Sequence, residues 1–499
     1  MSRWTVLRGM LAGAVILALL AQSALYGEES YNEFIVKTQD AQALHNFAPD
    51  HDLELRPLIT YPNPSAKVIE RFGCYWLASA QDSERTENLL HRLEDLPGVE
   101  CVEPNLLQHI EFPESRSDAT PILPDTFHHP YTPNDPMFPE QWDKIITETD
   151  WAWNLTTAEG VVIAILDTGA DTDHEDLQAN LVPGYNFVDD TSDIEDDYGH
   201  GTHVSGIAAA KIDNSKGIAG IAGNASIMPL KVAGSDGRYT AADLAQGIVY
   251  AADNDADIIN MSLGGDSHFS VIEDAVNYAW DAGAFLCAAA GNKREERSDY
   301  PAAYEHVASV GATTSGDSRW QFSNYGESVA IFAPGGGYEG ILSTEKGGYY
   351  GWRDGTSMAC PQVAGLAALI TSVYPEYTNQ DVWDKMIASA DTIPFSHELR
   401  INSRVALDVV EVKEREESTL QVSCAQIQKG RISFAYRVSE SRSYTLRIFN
   451  AAGREVYSTG GEIPPGGRIE CDAGVSSGVY FWELRTAVGT GSGRFVYLH

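Results

Sequence analysis

The spacing of apolar residues divides the chain into stretches of different kinds. Residues 10–21 form an apolar run behind Arg3 and Arg8, with Ala21, Ser23 and Ala24 at its end. The run is shorter than the roughly 20 residues that span a bilayer. It predicts a signal peptide over 1–23, so that the mature protein is exported. Residues 31–37 and 74–77 alternate as strands do. Leucines at 89, 90, 93 and 96 suit an amphipathic helix, and 99–102 reads as a closing strand. A small α/β unit over 31–112 follows. Prolines then crowd 113–136, which predicts an extended linker.

From 137 to 410 short, continuous apolar runs alternate with helical patterns. The runs at 161–166, 258–261, 284–287 and 307–310 predict parallel strands covered on both faces. Helices are expected between them at 241–253 and 271–282. The fold class is therefore α/β, a doubly wound parallel sheet whose ligands bind beyond the carboxyl ends of the strands. Residues 362–373 are apolar on every side, so a buried helix is expected there, stopping at Tyr374-Pro375. A charged linker at 411–417 precedes 418–499, where alternating strands and Gly-rich turns predict a small β-sandwich.

Charge narrows the classes. With 71 acidic and 34 basic residues the net charge is -37, which argues against nucleic acid or an anionic membrane as partner. Six cysteines are too few for a disulfide scaffold, and none has metal-pair spacing. Cys74 with Cys101, and Cys424 with Cys471, can pair or remain separate thiols.

Four residues sit where strands end or helices begin. Asp167 closes the run 161–166, His200 opens a small-residue helix, Asn292 follows the strand at 284–287, and Ser357 opens the buried helix. Singly these are turn or cap residues. Together they offer an orienting carboxylate, a base, an oxyanion donor and a nucleophile. His203 is a rival imidazole. His200 and His203 with Asp189, Asp190, Asp193, Asp196 and Asp197 also look like a metal cluster, but no glutamate has the zincin arrangement. The acidic loop reads more simply as solvated.

Asp167-Thr168-Gly169, His200-Gly201-Thr202-His203-Val204, Ala290-Gly291-Asn292 and Gly355-Thr356-Ser357-Met358-Ala359 with Pro361 occur in that order. Across 137–410 the chain resembles the subtilisin-like serine proteases. The resemblance implies a triad of Asp167, His200 and Ser357, with Asn292 at the oxyanion. It implies a substrate-binding wall at Ser262, Leu263 and Gly264, and makes Cys360 a buried thiol. A structural calcium is implied at Gln141, Asp176 and the loop 211–218 with Asn214, although that loop carries one extra residue; no catalytic metal is implied. Segment 31–112 resembles the family's inhibitory propeptide, and the last domain resembles a type IX secretion sorting domain. The expected protein is a secreted serine endopeptidase acting on proteins or peptides, with its own propeptide as intramolecular inhibitor and the secretion machinery as partner. The rivals are a surface-anchored binding protein on a protease scaffold and a metal-dependent hydrolase.

Overall fold

A computed structural model of the chain describes residues 33–80, 86–111, 131–408 except 339 and 395, and 420–497 except turn residues at 429–430, 439–441, 452, 465, 473, 477 and 487–488. The expected signal peptide, most of the Pro-rich linker and the charged linker lie outside the described residues. The chain forms two compact units, Met1–Val409 and Val410–His499.

The first unit begins with β1 (Glu33–Thr38), α1 (Ala41–Phe47), β2 (Leu53–Pro57), α2 (Ala66–Phe72), β3 (Tyr75–Ala80), α3 (Thr86–Glu94) and β4 (Val99–Pro104). The four strands form one antiparallel sheet in the order β2-β3-β1-β4. Alternation decides its two faces: Phe34 and Val36 pack with Leu90 and Leu93, while Ile35 faces the other way with Leu77. Cys74 and Cys101 flank β1 on opposite sides, Cys101 opposite Lys37 and the Cys74 carbonyl on Thr38 N–H. Two strand spacings, about 10 Å, exceed the reach of a disulfide. They are separate thiols.

The sheet at the centre of this unit has nine strands, in the order β16-β17-β13-β12-β11-β10-β6-β8-β7. Its middle is β6 (Val162–Asp167), β7 (Tyr185–Asn186), β8 (Ser226–Lys231), β10 (Ile258–Met261), β11 (Phe285–Ala289), β12 (Val307–Thr313) and β13 (Ile331–Pro334), all parallel. Only β16 (Asp391–Thr392), paired with β17 (Leu399–Arg400), is antiparallel. The expected runs are these strands: β10 keeps the expected bounds, while β6, β11 and β12 run one, two and three residues further at their carboxyl ends. One face carries α4 (His200–Ala209) and α7 (Thr356–Val373), the other α5 (Ala241–Asp253) and α6 (Ser270–Ala282).

Helix α7 is long and apolar enough to cross a membrane, yet it lies in the core. Pro361 stands inside its first two turns and cannot donate to the Ser357 carbonyl. The Ser262 hydroxyl donates to that carbonyl instead, at 2.9 Å. Gly365 is needed because a Cβ there would lie 2.5 Å from Ile221 Cβ. The second unit is a β-sandwich: β18 (Leu420–Gln428), β19 (Arg431–Val438) and β22 (Gly466–Cys471) face β20 (Arg442–Asn450), β21 (Glu455–Ile463), β23 (Gly478–Thr486) and β24 (Gly489–Tyr497). Phe434 and Trp482 meet in its core with ring centres 5.2 Å apart.

Candidate active site

Asp167 is the last residue of β6, where the sheet's strongest apolar run meets the carboxyl edge. His200 is the first residue of α4, which starts after Gly199 at φ 108°. The two approach closely because Gly201 has no side chain; a Cβ there would sit 2.1 Å from the Gly169 carbonyl. His200 Nδ1 lies 2.7 and 2.9 Å from the two carboxylate oxygens of Asp167, and both residues are fully buried. With Nδ1 facing an anion, the proton belongs on Nδ1 and Nε2 is left as the basic nitrogen.

Asp196 builds this corner, and sequence reasoning missed it. Its carboxylate accepts the Thr168 hydroxyl, the N–H groups of Tyr198, Gly199 and Thr202, and the Thr202 hydroxyl. It thus ties the Asp167 turn to the start of α4 and places a negative charge at that helix's positive end. An acidic residue four positions before a small-residue helix was the available signal. The acidic loop is accordingly not all solvated: Asp189, Asp190, Asp193 and Asp197 are exposed, Asp196 is buried, and Lys231 pairs with Asp197 at 2.6 Å.

His203 lies one turn further along α4. Its Nε2 meets the Gly351 carbonyl at 3.2 Å, and burial, then the charge of Arg353, holds it well below its ordinary value. It is a neutral packing residue, turned away from the acidic loop. The His–Asp metal cluster does not assemble. Among the described residues, the only close group of three acids is Asp266, Glu295 and Asp299.

Ser357 stands in the first turn of α7, which opens at Thr356, one residue earlier than expected, with Gly355 as the N-cap. Asn292 faces it. The Asn292 amide oxygen accepts the Thr356 N–H and hydroxyl, both at 2.9 Å, which turns Nδ2 outward over Gly355. Beyond β10, Ser262 and Leu263 are buried and Gly264 lines the surface.

The cleft is filled by the chain itself. Strand β5 (Leu107–His109) pairs antiparallel with β9 (Arg238–Thr240), and Ile110 N–H donates to the Gly237 carbonyl at 2.7 Å. Asn292 Nδ2 then donates to the Glu111 carboxylate at 3.2 Å. The sheet before it caps two helices: Glu103 accepts the Ser270 N–H at the start of α6, and Asn105 the Ala242 N–H at the start of α5. Lys37 and Tyr75 both bond Asp274.

The expected calcium ligands are brought only partly together. Asp176 accepts from Asn214 Nδ2 at 2.7 Å, the Ile218 N–H at 2.9 Å and the Tyr350 hydroxyl. Gln141 is buried and bonded at both ends to Ala219: its oxygen accepts the Ala219 N–H and its amide donates to the Ala219 carbonyl. Asp135, which the sequence reading did not single out, lies at the same loop and accepts the N–H groups of Asp213 and Asn214. The expected linker therefore ends earlier, since residues 131–136 are docked on this loop. Asp135 and Asp176 are both buried, and neither is paired with lysine or arginine among the described residues. Burial, with Asp176 nearby, pushes Asp135 up to about 6. Two buried carboxylates without a counter-ion fit a hard divalent cation.

A buried His–Asp pair, a serine at a helix start and an amide donor at the carboxyl edge of a doubly wound sheet equip a serine hydrolase. The Subtilase family model matches residues 158–419, slightly more than half of the chain. The thermophilic serine proteinase of Bacillus sp. (strain AK1) is 43% identical over 288 residues, 57% of this chain and 66% of that protein. Thermitase of Thermoactinomyces vulgaris is 44% identical over 243 residues, 48% of this chain and 86% of thermitase. A solved protease structure from Pseudoalteromonas arctica PAMC 21717 superposes with a TM-score of 0.53 at 33% identity, covering 56% of this chain and 99% of that one. The chain belongs to the subtilase family of serine proteases.

Proposed function

We propose that this chain is an exported serine endopeptidase that cleaves protein or peptide substrates through an acyl-enzyme on Ser357. The observation that carries the reading is the buried pair of His200 and Asp167 at the carboxyl edge of the sheet, the edge at which Asn292 is bonded to Thr356 beside Ser357. His200 Nε2 takes the Ser357 proton as Oγ attacks the peptide carbonyl. Asp167 holds the tautomer and stabilises the imidazolium that forms. The tetrahedral oxyanion receives Asn292 Nδ2 and the Ser357 N–H, which also points from the positive end of α7. Collapse expels the amine with the proton from His200. Water, activated by the same imidazole, then cleaves the ester.

Substrate would lie as an added strand between 237–239 and Ser262, Leu263 and Gly264, the course that β5 takes in the chain itself. Residues 31–112 would act as an intramolecular inhibitor until cut. Supporting this are the occupied cleft and the two helix caps from Glu103 and Asn105. A structural calcium would be held by Asp135, Asp176 and Asn214, supplying the counter-charge the two carboxylates lack. The signal peptide and the C-terminal sandwich would direct the protein through the periplasm to the surface or medium, the sandwich serving as a type IX sorting domain. The test is labelling with an active-site serine phosphonate, with and without chelator. Label confined to Ser357 supports the reading; full activity in Ser357→Ala that chelator abolishes would refute it.

A further inference from the structure

We propose that Asp299 makes the main side-chain pocket of this protease selective for lysine or arginine on the acyl side of the cleaved bond. The inference rests on the protease reading and names its substrate class.

The pocket lies between two chain segments that leave the sheet side by side. One is Ser262 to Gly265 after β10, the other Ala290 to Asn292 after β11. The segment 299–300 closes the gap between them. Tyr300 and Gly265 exchange two backbone hydrogen bonds of 2.8 Å, and the Asp299 N–H donates to the Ala290 carbonyl at 2.9 Å. Asp299 is thus stitched to both walls at the back of the pocket. Its carboxylate has room because both walls are glycine there. A Cβ on Gly291 would lie 2.5 Å from Asp299 Oδ2, and one on Gly264 3.3 Å from Asp299 Cβ.

Asp299 is only 3% exposed, and its carboxylate is incompletely satisfied. No hydrogen bond reaches Oδ1 among the described residues. Arg297 Nη2 stands 3.5 Å from it, and Lys293 Nζ 3.3 Å from Oδ2. Both cations are shared with nearer acids, Lys293 with Asp266 at 2.7 Å and Arg297 with Glu295 at 2.6 Å and with Asp266. Asp266, Glu295 and Asp299 against Lys293 and Arg297 leave one negative charge unbalanced, and the buried member carries the missing hydrogen bond. A substrate ammonium or guanidinium supplies both the donor and the charge. An apolar side chain would seal the carboxylate from water without a donor, and an acidic one would add a like charge.

The chain's own occupant agrees. Glu111 reaches the pocket mouth, but its carboxylate turns to Asn292 rather than inward. An acidic residue at this place suits a segment that blocks the cleft more than one that is turned over quickly.

The test is kcat/KM of the mature enzyme on one peptide series differing only in the residue before the chromogenic leaving group: Lys, Arg, Phe, Ala or Glu. Lys and Arg should exceed Phe and Ala by at least tenfold and Glu by at least a hundredfold. Asp299→Asn should lower the Lys and Arg values at least tenfold and change Ala less than threefold. The wild-type series decides alone should the variant not fold. An enzyme labelled at Ser357 that prefers Phe or Ala, or an Asn variant that keeps the basic preference, overturns this inference and leaves the protease reading standing. Inertness to all five peptides with Ser357 unlabelled removes both.

Discussion

Asn292 and Thr356, 64 residues apart, are joined by two hydrogen bonds of 2.9 Å into the Asn292 amide oxygen. The pair fixes which end of the amide is turned away from Thr356, the end proposed above to meet the reacting carbonyl. The oxygen is engaged on the inner side, so the NH₂ group alone is presented to a developing anion.

Asn292→Ala should therefore lower kcat by about 10²- to 10³-fold with little change in KM, a size known for such a donor in a subtilisin rather than derived from this site. Thr356→Val, which removes one of the two orienting bonds, should lower kcat by a smaller factor. Steady-state kinetics and a melting curve for each variant check this. A fall in KM-based affinity with kcat intact would show that Asn292 binds ground state and transition state alike.

Chelation should lower the melting temperature before it lowers the initial rate, because a cation bound only to the folded state stabilises by mass action. At a hundredfold excess over Kd the effect is about 2.7 kcal/mol. Asp135→Asn should melt lower in calcium and lose most of its response to chelator, whereas Gln141→Glu should keep it. An unchanged wild-type curve in excess chelator would remove the site.

Asp243 lies at the start of α5, with Thr240 beside it and Arg56 and Glu33 facing it from the N-terminal sheet. Burial pushes it from 3.8 up to about 7, with the Thr240 hydrogen bond and Arg56 opposing and Glu33 adding to the rise. The folded state then holds a proton that the unfolded state has lost. Its contribution to stability is therefore greatest below about pH 4 and declines as pH climbs towards 7. Uncut Ser357→Ala protein should lose melting temperature between pH 5 and 7.5, and adding Asp243→Asn should flatten that slope. Identical slopes in the two proteins would rule out the linkage.

Wild-type protein should remove its own first hundred or so residues, with cuts between about 105 and 136, because tethering makes the first cut effectively unimolecular. Arg116 is the single lysine or arginine from 112 to 143, so the pocket proposed above puts a cut after it. Ser357→Ala should fold and stay uncut. Intact mass of both proteins, purified without other proteases, decides; normal maturation of the alanine variant would assign the cut to another enzyme.

The two compact units divide at Val409 and Val410. A chain ending there should still fold and cleave peptides with kcat/KM within about threefold of the full chain, since the core of residues 131–408 is complete without the sandwich. In a host with type IX secretion it should remain in the periplasm. Fractionation and peptide assay test both halves, and surface delivery of the short form would refute the sorting role.

The order of elements and the places of Asp167, His200, Asn292 and Ser357 were legible in the sequence alone. Continuous apolar runs specify buried parallel strands, and the all-round apolar stretch behind Ser357 specifies a buried helix. These are local patterns, set by which side chains must leave water. Helix 241–253 has the bounds its pattern predicts, and the Thr240 side chain caps its start by accepting the Asp243 N–H. What only the tertiary structure decided depends on contacts across long separations. Which imidazole meets Asp167 follows from the 201–169 approach, and the burial of Asp196 from donors on two different turns. Asp135 stands at the 213–214 loop, and Gln141 is bonded to the Ala219 backbone, through hydrogen bonds that reach across 78 residues. Cys74 and Cys101 stay apart because β1 runs between them. Asp299 lies in an unpatterned loop, and only the closure of 299–300 onto Gly265 and Ala290 brings it beside the segments that leave β10 and β11. Periodicity reports which face of an element is buried; it holds no record of which distant residue will be found there.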